Sequence, residues 1–158
     1  MTVPHPERLG ESGAPVRAPA RPPSPWRGQG PVVAAVSLGG TVGATARYGA
    51  GLLWPTPDGG FPWTTFTINV VGCAVIGVLM VVVTDVRSLH RLARPFLGTG
   101  VLGGFTTFST YAVDIRTLIG TGHPGTGLGY LAATLCAALA AVWLGTTATR
   151  RALARRQR

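Results

Sequence analysis

Apolar positions in this chain neither alternate with polar ones nor recur in a helical stripe; they run on. Val32–Ala46 is uncharged up to Arg47 and the run resumes to Pro57, while Phe61–Thr84, Pro95–Val113 and Gly125–Thr149 carry no formal charge. Each run matches or approaches the roughly 20 residues a bilayer-spanning helix needs. The pattern predicts an all-α integral membrane protein with four transmembrane helices at about 32–54, 63–84, 95–119 and 127–149. These form one domain over residues 32–149. Residues 1–31 are rich in Pro, Gly and Arg and lack any apolar period, so they are expected to be a disordered tail rather than a signal peptide. Residues 150–158 read as a basic C-terminal tail.

The third run is a poor ordinary helix. Gly98, Gly100, Gly103 and Gly104 weaken it before its middle, and Thr106, Thr107, Ser109 and Thr110 then crowd four hydroxyls together. Phe108 and Tyr111, three apart, share a helical face. A bilayer tolerates a broken backbone only where protein buries it or water reaches it. Freed carbonyls at such a break hold a cation, and freed N–H groups or hydroxyls hold an anion. The expectation is a third helix broken at mid-membrane, loosened by its glycines, at an ion site.

The other spans supply candidates to face that break. In the first, Gly39 with Gly43 and Gly40 with Ala44 allow close backbone approach. Its one charge, Arg47, has two readings: a side chain snorkelling to the interface, or a fixed charge at an aqueous vestibule that attracts anions. In the second, Thr65, Asn69 and Cys73 form a stripe, and Cys73 with Gly77 makes another close-packing pair. Asn69 serves equally as glue between helices or as a pore donor. In the fourth, Tyr130, Thr134 and Ala138 share a stripe, with Tyr130 either an interfacial aromatic or the start of a polar track. Asp114 is a surface acid or a vestibule carboxylate. Arg116, Trp54 and Trp63 read as interfacial, and His90 and His123 as solvated loop side chains.

Charge alters the picture in one respect. The net charge of +9 comes from 14 basic residues, all Arg. On a soluble face this would suggest nucleic acid, but the Arg lie almost wholly outside the apolar runs, as topology signals and headgroup contacts. Cys73 and Cys136 both fall inside apolar runs, as packing residues. No nucleophile–base pair, metal cluster, cofactor loop or phosphate-binding loop is present, so neither an enzyme nor a motor-driven pump is indicated. A proton-coupled small multidrug exporter needs a membrane-embedded carboxylate, and the first span has none.

Four stretches in order carry a family resemblance: Gly39-Gly-Thr-Val-Gly-Ala-Thr-Ala-Arg-Tyr48, Thr67-Ile-Asn-Val-Val-Gly72, Gly103-Gly-Phe-Thr-Thr-Phe-Ser-Thr110 and, more weakly, Ala141-Val-Trp-Leu-Gly145. Over about Val32 to Arg150 the chain resembles the Fluc (CrcB) fluoride channels. The resemblance implies a passive, fluoride-selective channel that exports the toxic anion across the cell membrane. It implies an antiparallel dimer of four-helix subunits with two pores and a central, structural sodium ion. Carried onto this chain, the sodium positions are Gly103 and Thr106. The aromatic pair of the pore is Phe108 and Tyr111, with the hydroxyls of Ser109 and Thr110 between them. Asn69, Tyr130 and Thr134 are the remaining pore positions, and Arg47 and Asp114 lie at the vestibule. Two departures stand out: Tyr111 where the family usually has Phe, and Ala138 where a polar residue or Gly often stands.

Arginine placement predicts orientation. Four spans put the N-terminus, the 85–94 loop and the C-terminus on one side. Twelve of the Arg lie there, against two, Arg47 and Arg116, on the other. Positive charge stays cytoplasmic, so both termini are expected inside. A subunit that inserts both ways would be nearly balanced, so the second, inverted subunit is expected to be a paralogue rather than the chain itself. A non-conducting or half-conducting partner role remains the alternative to a complete channel.

Overall fold

The structure, a computed structural model, describes residues 28–85 and 91–156. Expectations for the tail up to residue 27, for His90 and for the last two residues lie outside the described residues. Every regular element among the described residues is helical. They are α1 Gly30–Leu53, α2 Trp63–Asp85, a π-helical segment π1 Pro95–Leu102, a single turn α3 Gly103–Phe105, α4 Phe108–Gly120 and α5 Pro124–Arg156. Prolines open α1, π1 and α5, where a missing N–H costs nothing.

Within α2 and α5, Trp63–Thr84 and Pro124–Arg155 are long and apolar enough to cross a membrane. Their outer faces leave Val71, Val75, Met80, Leu135, Leu139 and Trp143 exposed, a surface matched to lipid. What they bury is mostly small. Gly77 and Gly145 meet where the two helices pack: a Cβ on Gly77 would stand 2.6 Å from the Val142 carbonyl, and one on Gly145 2.5 Å from the Ala74 carbonyl. Backbones approach as closely between α1 and the third run. A Cβ on Gly43 would stand 2.8 Å from the Phe105 nitrogen, and one on Gly100 2.9 Å from the Gly39 Cα. Two tight helix pairs result, α1 with π1–α3 and α2 with α5, and the chain leaves the first at the break so that α4 packs on α5.

The break falls at Thr106 and Thr107, both extended, with φ −74°, ψ 154° and φ −148°, ψ 124°. This corrects the expectation that glycines make the kink. Gly98, Gly100, Gly103 and Gly104 all lie in helical turns ahead of it, and Gly100 and Gly104 are where α1 touches. The extended residues are β-branched threonines, whose side chains suit extended backbone.

The last helix also differs from expectation. The loop expected between the third and fourth spans shrinks to a turn, because α5 already starts at Pro124, and residues 150–156 continue the same helix instead of forming a separate tail. With 33 residues α5 is far longer than a bilayer core requires. At about 1.5 Å per residue it extends well past a core about 30 Å thick. His123 is exposed, as expected of a loop residue, yet its ring packs over Gly59 of the opposing loop. Gly59 has φ +68°, and a Cβ there would lie 2.7 Å from the imidazole.

Candidate functional site at the helix break

An interrupted helix must find new partners for its freed backbone groups. Asn69, on α2, supplies two of them. Its side-chain oxygen accepts from the Thr107 N–H at 2.9 Å, and its Nδ2 donates to the Thr107 carbonyl at 3.0 Å. The amide thus pairs with both backbone groups of one residue, as a neighbouring β-strand would. Gly72, one turn further along α2, lies against the Thr106 methyl with no room for a Cβ.

These bonds leave particular carbonyls open. In an uninterrupted helix Thr107 N–H would bond Gly103, but it goes to Asn69 instead. Thr110 N–H would bond Thr106, but it bonds the Thr107 side-chain oxygen at 3.1 Å. Gly103 and Thr106 therefore lose their helical donors, while the Gly104 carbonyl between them accepts from Arg47 Nε at 3.1 Å. Arg47, half-buried, braces the break from α1 and is not simply a snorkelling side chain.

On the far side, Thr107 caps α4. Its hydroxyl lies 3.1 Å from that of Thr110 and 3.2 Å from that of Ser109. Three hydroxyls thus gather at the positive end of a helix whose first N–H groups have no intrahelical acceptor. Thr107 also joins two cavities. One, of about 270 Å³, is lined by Asn69, Cys73, Thr106, Thr107, Phe108, Tyr111, Thr134, Leu135 and Ala138. The other, of about 370 Å³, includes Arg47, Tyr48, Thr64, Thr65, Thr107 and Thr110 in its lining. Thr134 is only 5% exposed, and its hydroxyl has no hydrogen-bond partner among the described residues. A buried, unbound hydroxyl on a cavity wall is costly to keep and available to a ligand.

Aromatic rings continue from there. Phe108 and Tyr111 have centroids 5.7 Å apart. Tyr111 meets Tyr130 edge-on at 5.2 Å, and Tyr130 meets Phe61 edge-on at 5.2 Å. Tyr130 is wholly buried and its hydroxyl donates to Asp114 Oδ2 at 3.4 Å, so it backs the site rather than opening a polar track into the first cavity. Asp114 is half-buried against Tyr130, with Thr65 also in hydrogen-bonding reach. Phe108, at 79% exposed, has one side open, as do Ser109 and Gly103.

Of the residues singled out by sequence, Asn69, Thr106, Phe108, Tyr111 and Thr134 converge on one cavity, and Arg47 and Thr110 on the other. Ser109 and Gly103 sit on the exposed side of the break, while Tyr130 and Asp114 pair with each other behind it. Thr107 was not among the chosen sites although it lines both cavities. Its position as the hydroxyl residue before Phe-Ser-Thr is the helix-start signal that identifies it.

A family model described as CrcB-like protein, Camphor Resistance (CrcB), matches residues 34–146. A Streptomyces avermitilis protein named Fluoride-specific ion channel FluC 2 is 72% identical over 158 residues, 100% of both chains. The Streptomyces coelicolor protein named Fluoride-specific ion channel FluC 1 is 66% identical over 157 residues, 99% of each chain. A second S. avermitilis protein, Fluoride-specific ion channel FluC 3, is 48% identical over 127 residues, 80% of this chain and 62% of that one.

Proposed function

Because the chain belongs to the CrcB family, we propose that it is a fluoride-selective channel through which the anion leaves the cell passively. Fluoride is small and strongly hydrated, so a narrow path must replace its water with hydrogen-bond donors. Donors stand ready here: the Thr134 hydroxyl, the second Nδ2–H of Asn69, the Ser109 and Thr110 hydroxyls and the first N–H groups of α4. Phe108 and Tyr111 add the positive edges of their rings. Arg47, in the wall of the second cavity, supplies the attracting charge of a vestibule, and Asp114 is held by Tyr130 behind the aromatic pair. The observation that carries this reading is the buried, unpartnered hydroxyl of Thr134, a residue that lines one cavity with Asn69 and the aromatic pair.

A structural sodium ion fits the break. The carbonyls of Gly103 and Thr106, both deprived of their helical donors, would hold it, and oxygen donors of this kind suit a hard cation. Its charge would steady the break and raise the positive potential beside it. Phe108, Ser109 and Gly103 remain exposed around the same point, which favours a second, inverted subunit covering them. We place both termini in the cytoplasm of a multi-pass plasma-membrane protein, on the strength of the Arg bias.

Purified protein reconstituted in liposomes loaded with fluoride tests the reading. A fluoride electrode should record rapid release when the membrane potential is clamped by a potassium ionophore, and vesicles loaded with chloride should stay closed. Absent fluoride release, or equal chloride release, would overturn it. One observation favours a second reading, a subunit that needs a paralogue. The bias of twelve Arg to two opposes insertion in both orientations, and S. avermitilis holds at least two related chains. Full fluoride resistance of an exporter-deficient cell expressing this chain alone would refute that reading.

A further inference from the structure

The last turns of α5 carry a charged face that the ion path does not use. α2 and α5 run side by side in the same direction: Tyr130 meets Phe61 just ahead of α2, and further along Gly77 packs against Val142 and Gly145. Seven residues beyond Gly77, α2 reaches Thr84, where its apolar span stops, and the same count from Gly145 brings α5 to Ala152. Arg150, Arg151 and Arg155 therefore bracket the level at which the neighbouring helix leaves the hydrocarbon. Leu144, Ala148, Arg151 and Arg155 follow at intervals of four, three and four, which keeps them on one side of the helix, and all four are exposed. Trp143 and Arg150, also exposed, form a second column beside them. Each column is apolar toward the middle of the membrane and cationic at its edge. α5 contains no acidic residue to neutralise it.

We propose that this face holds an anionic phospholipid, with its phosphate at Arg151 and Arg155, Arg150 beside it, and an acyl chain along Leu144 and Trp143. The inference rests on the membrane-spanning part of the reading above and not on which ion is carried. Arg151 and Arg155 are four residues apart, about 6 Å along the axis. Like charges at that spacing repel modestly, and an anion between them replaces the repulsion with charge-assisted hydrogen bonds. A soluble anion would satisfy the guanidinium groups but leave the apolar half of the face unmatched. An acidic protein segment would have to enter the lipid to reach Leu144. A phospholipid matches both halves at once, because its own polarity changes at the same depth. Net negative charge is favoured over a zwitterionic headgroup, whose cation would be repelled by the same arginines.

Trp143 serves as the reporter. The purified chain is reconstituted in phosphatidylcholine doped with either phosphatidylglycerol or phosphatidylcholine brominated on the acyl chains. The difference in fluorescence between the wild type and W143F isolates Trp143 from the other tryptophans. Brominated phosphatidylglycerol should quench it as a lipid associating roughly fivefold to thirtyfold more strongly than brominated phosphatidylcholine, the range for one or two arginines engaged. In R150Q/R151Q/R155Q, whose substitutions are exposed and helix-compatible, the preference should fall to about twofold or less, with the thermal midpoint in detergent close to that of the wild type. Inorganic phosphate should not displace the lipid. Equal quenching by both lipids, an undiminished preference in the triple variant, or displacement by inorganic phosphate overturns the site. No quenching of Trp143 by either lipid would instead refute the placement of α5 against the bilayer from which this inference starts.

Discussion

Thr134→Val separates function from stability in a way that few substitutions can. Valine matches threonine in shape, so nothing in the packing of α5 against α2 and α4 should move. The change removes one hydroxyl that is 5% exposed and unpartnered. Burying such a group without a bond costs about 1–3 kcal/mol, so the variant should be at least as stable as the wild type and gain up to that amount. Fluoride loses a donor in the same step. A hydrogen bond to a charged partner is worth about 1.5–3 kcal/mol net, and a dehydrated anion has no water to replace it. A barrier raised by that much slows passage about tenfold to a hundredfold. Efflux from liposomes gives the rate, and a detergent melt gives the midpoint. A variant that conducts within a factor of two of the wild type would refute the assignment of Thr134 to the ion path. A clear loss of midpoint would show that the hydroxyl has a structural partner and is not waiting for a ligand.

Three further outcomes follow from the same geometry. Asn69→Ala strips both partners from the Thr107 peptide and should cost about 2–5 kcal/mol together with nearly all fluoride flux, read by the same melt and efflux assays; preserved stability would mean the break is held by something else. Gly43→Ala places a methyl group against the Val101 carbonyl and should lower the midpoint or abolish folded yield on gel filtration, whereas Gly40→Ala, with open space around it, should be neutral. A cysteine introduced at Ala152, on the exposed end of α5, should react with a membrane-impermeant thiol reagent only in inside-out vesicles; labelling of intact cells would reverse the proposed orientation.

Much of this arrangement is legible in the sequence, and the reason is the solvent. Within lipid the apolar runs had to be helices, so the bounds of α1 and α2 follow from where charge and proline stop the runs. Small residues four apart mark the faces where backbones meet, and Gly39, Gly43 and Gly77 all lie there. The break itself was legible as a region but not as a position. Glycine is a weak helix former, so four of them suggest the kink. Yet helix-to-helix contact also requires glycine, and here that contact accounts for Gly100 and Gly104. The actual interruption at Thr106 and Thr107 depends on Asn69, a residue 38 positions earlier, and no local pattern reveals such a pairing. That the Tyr111 hydroxyl donates to the Leu131 carbonyl was equally hidden, because it depends on which α5 carbonyl lies in reach. Where α5 stops was misjudged for a simpler reason: arginine ends a lipid-facing surface but is a good helix former, so the helix carries on into water.

Asn69 gives the bend an unusual ownership. The two threonines that change direction do not carry the instruction alone, since the amide holding them open belongs to α2. Transplanted into a scaffold without that asparagine, the Gly103–Gly120 segment would be free to return Thr107 N–H to Gly103 and straighten. Any attempt to graft the ion path onto a designed bundle must therefore move both helices as one part.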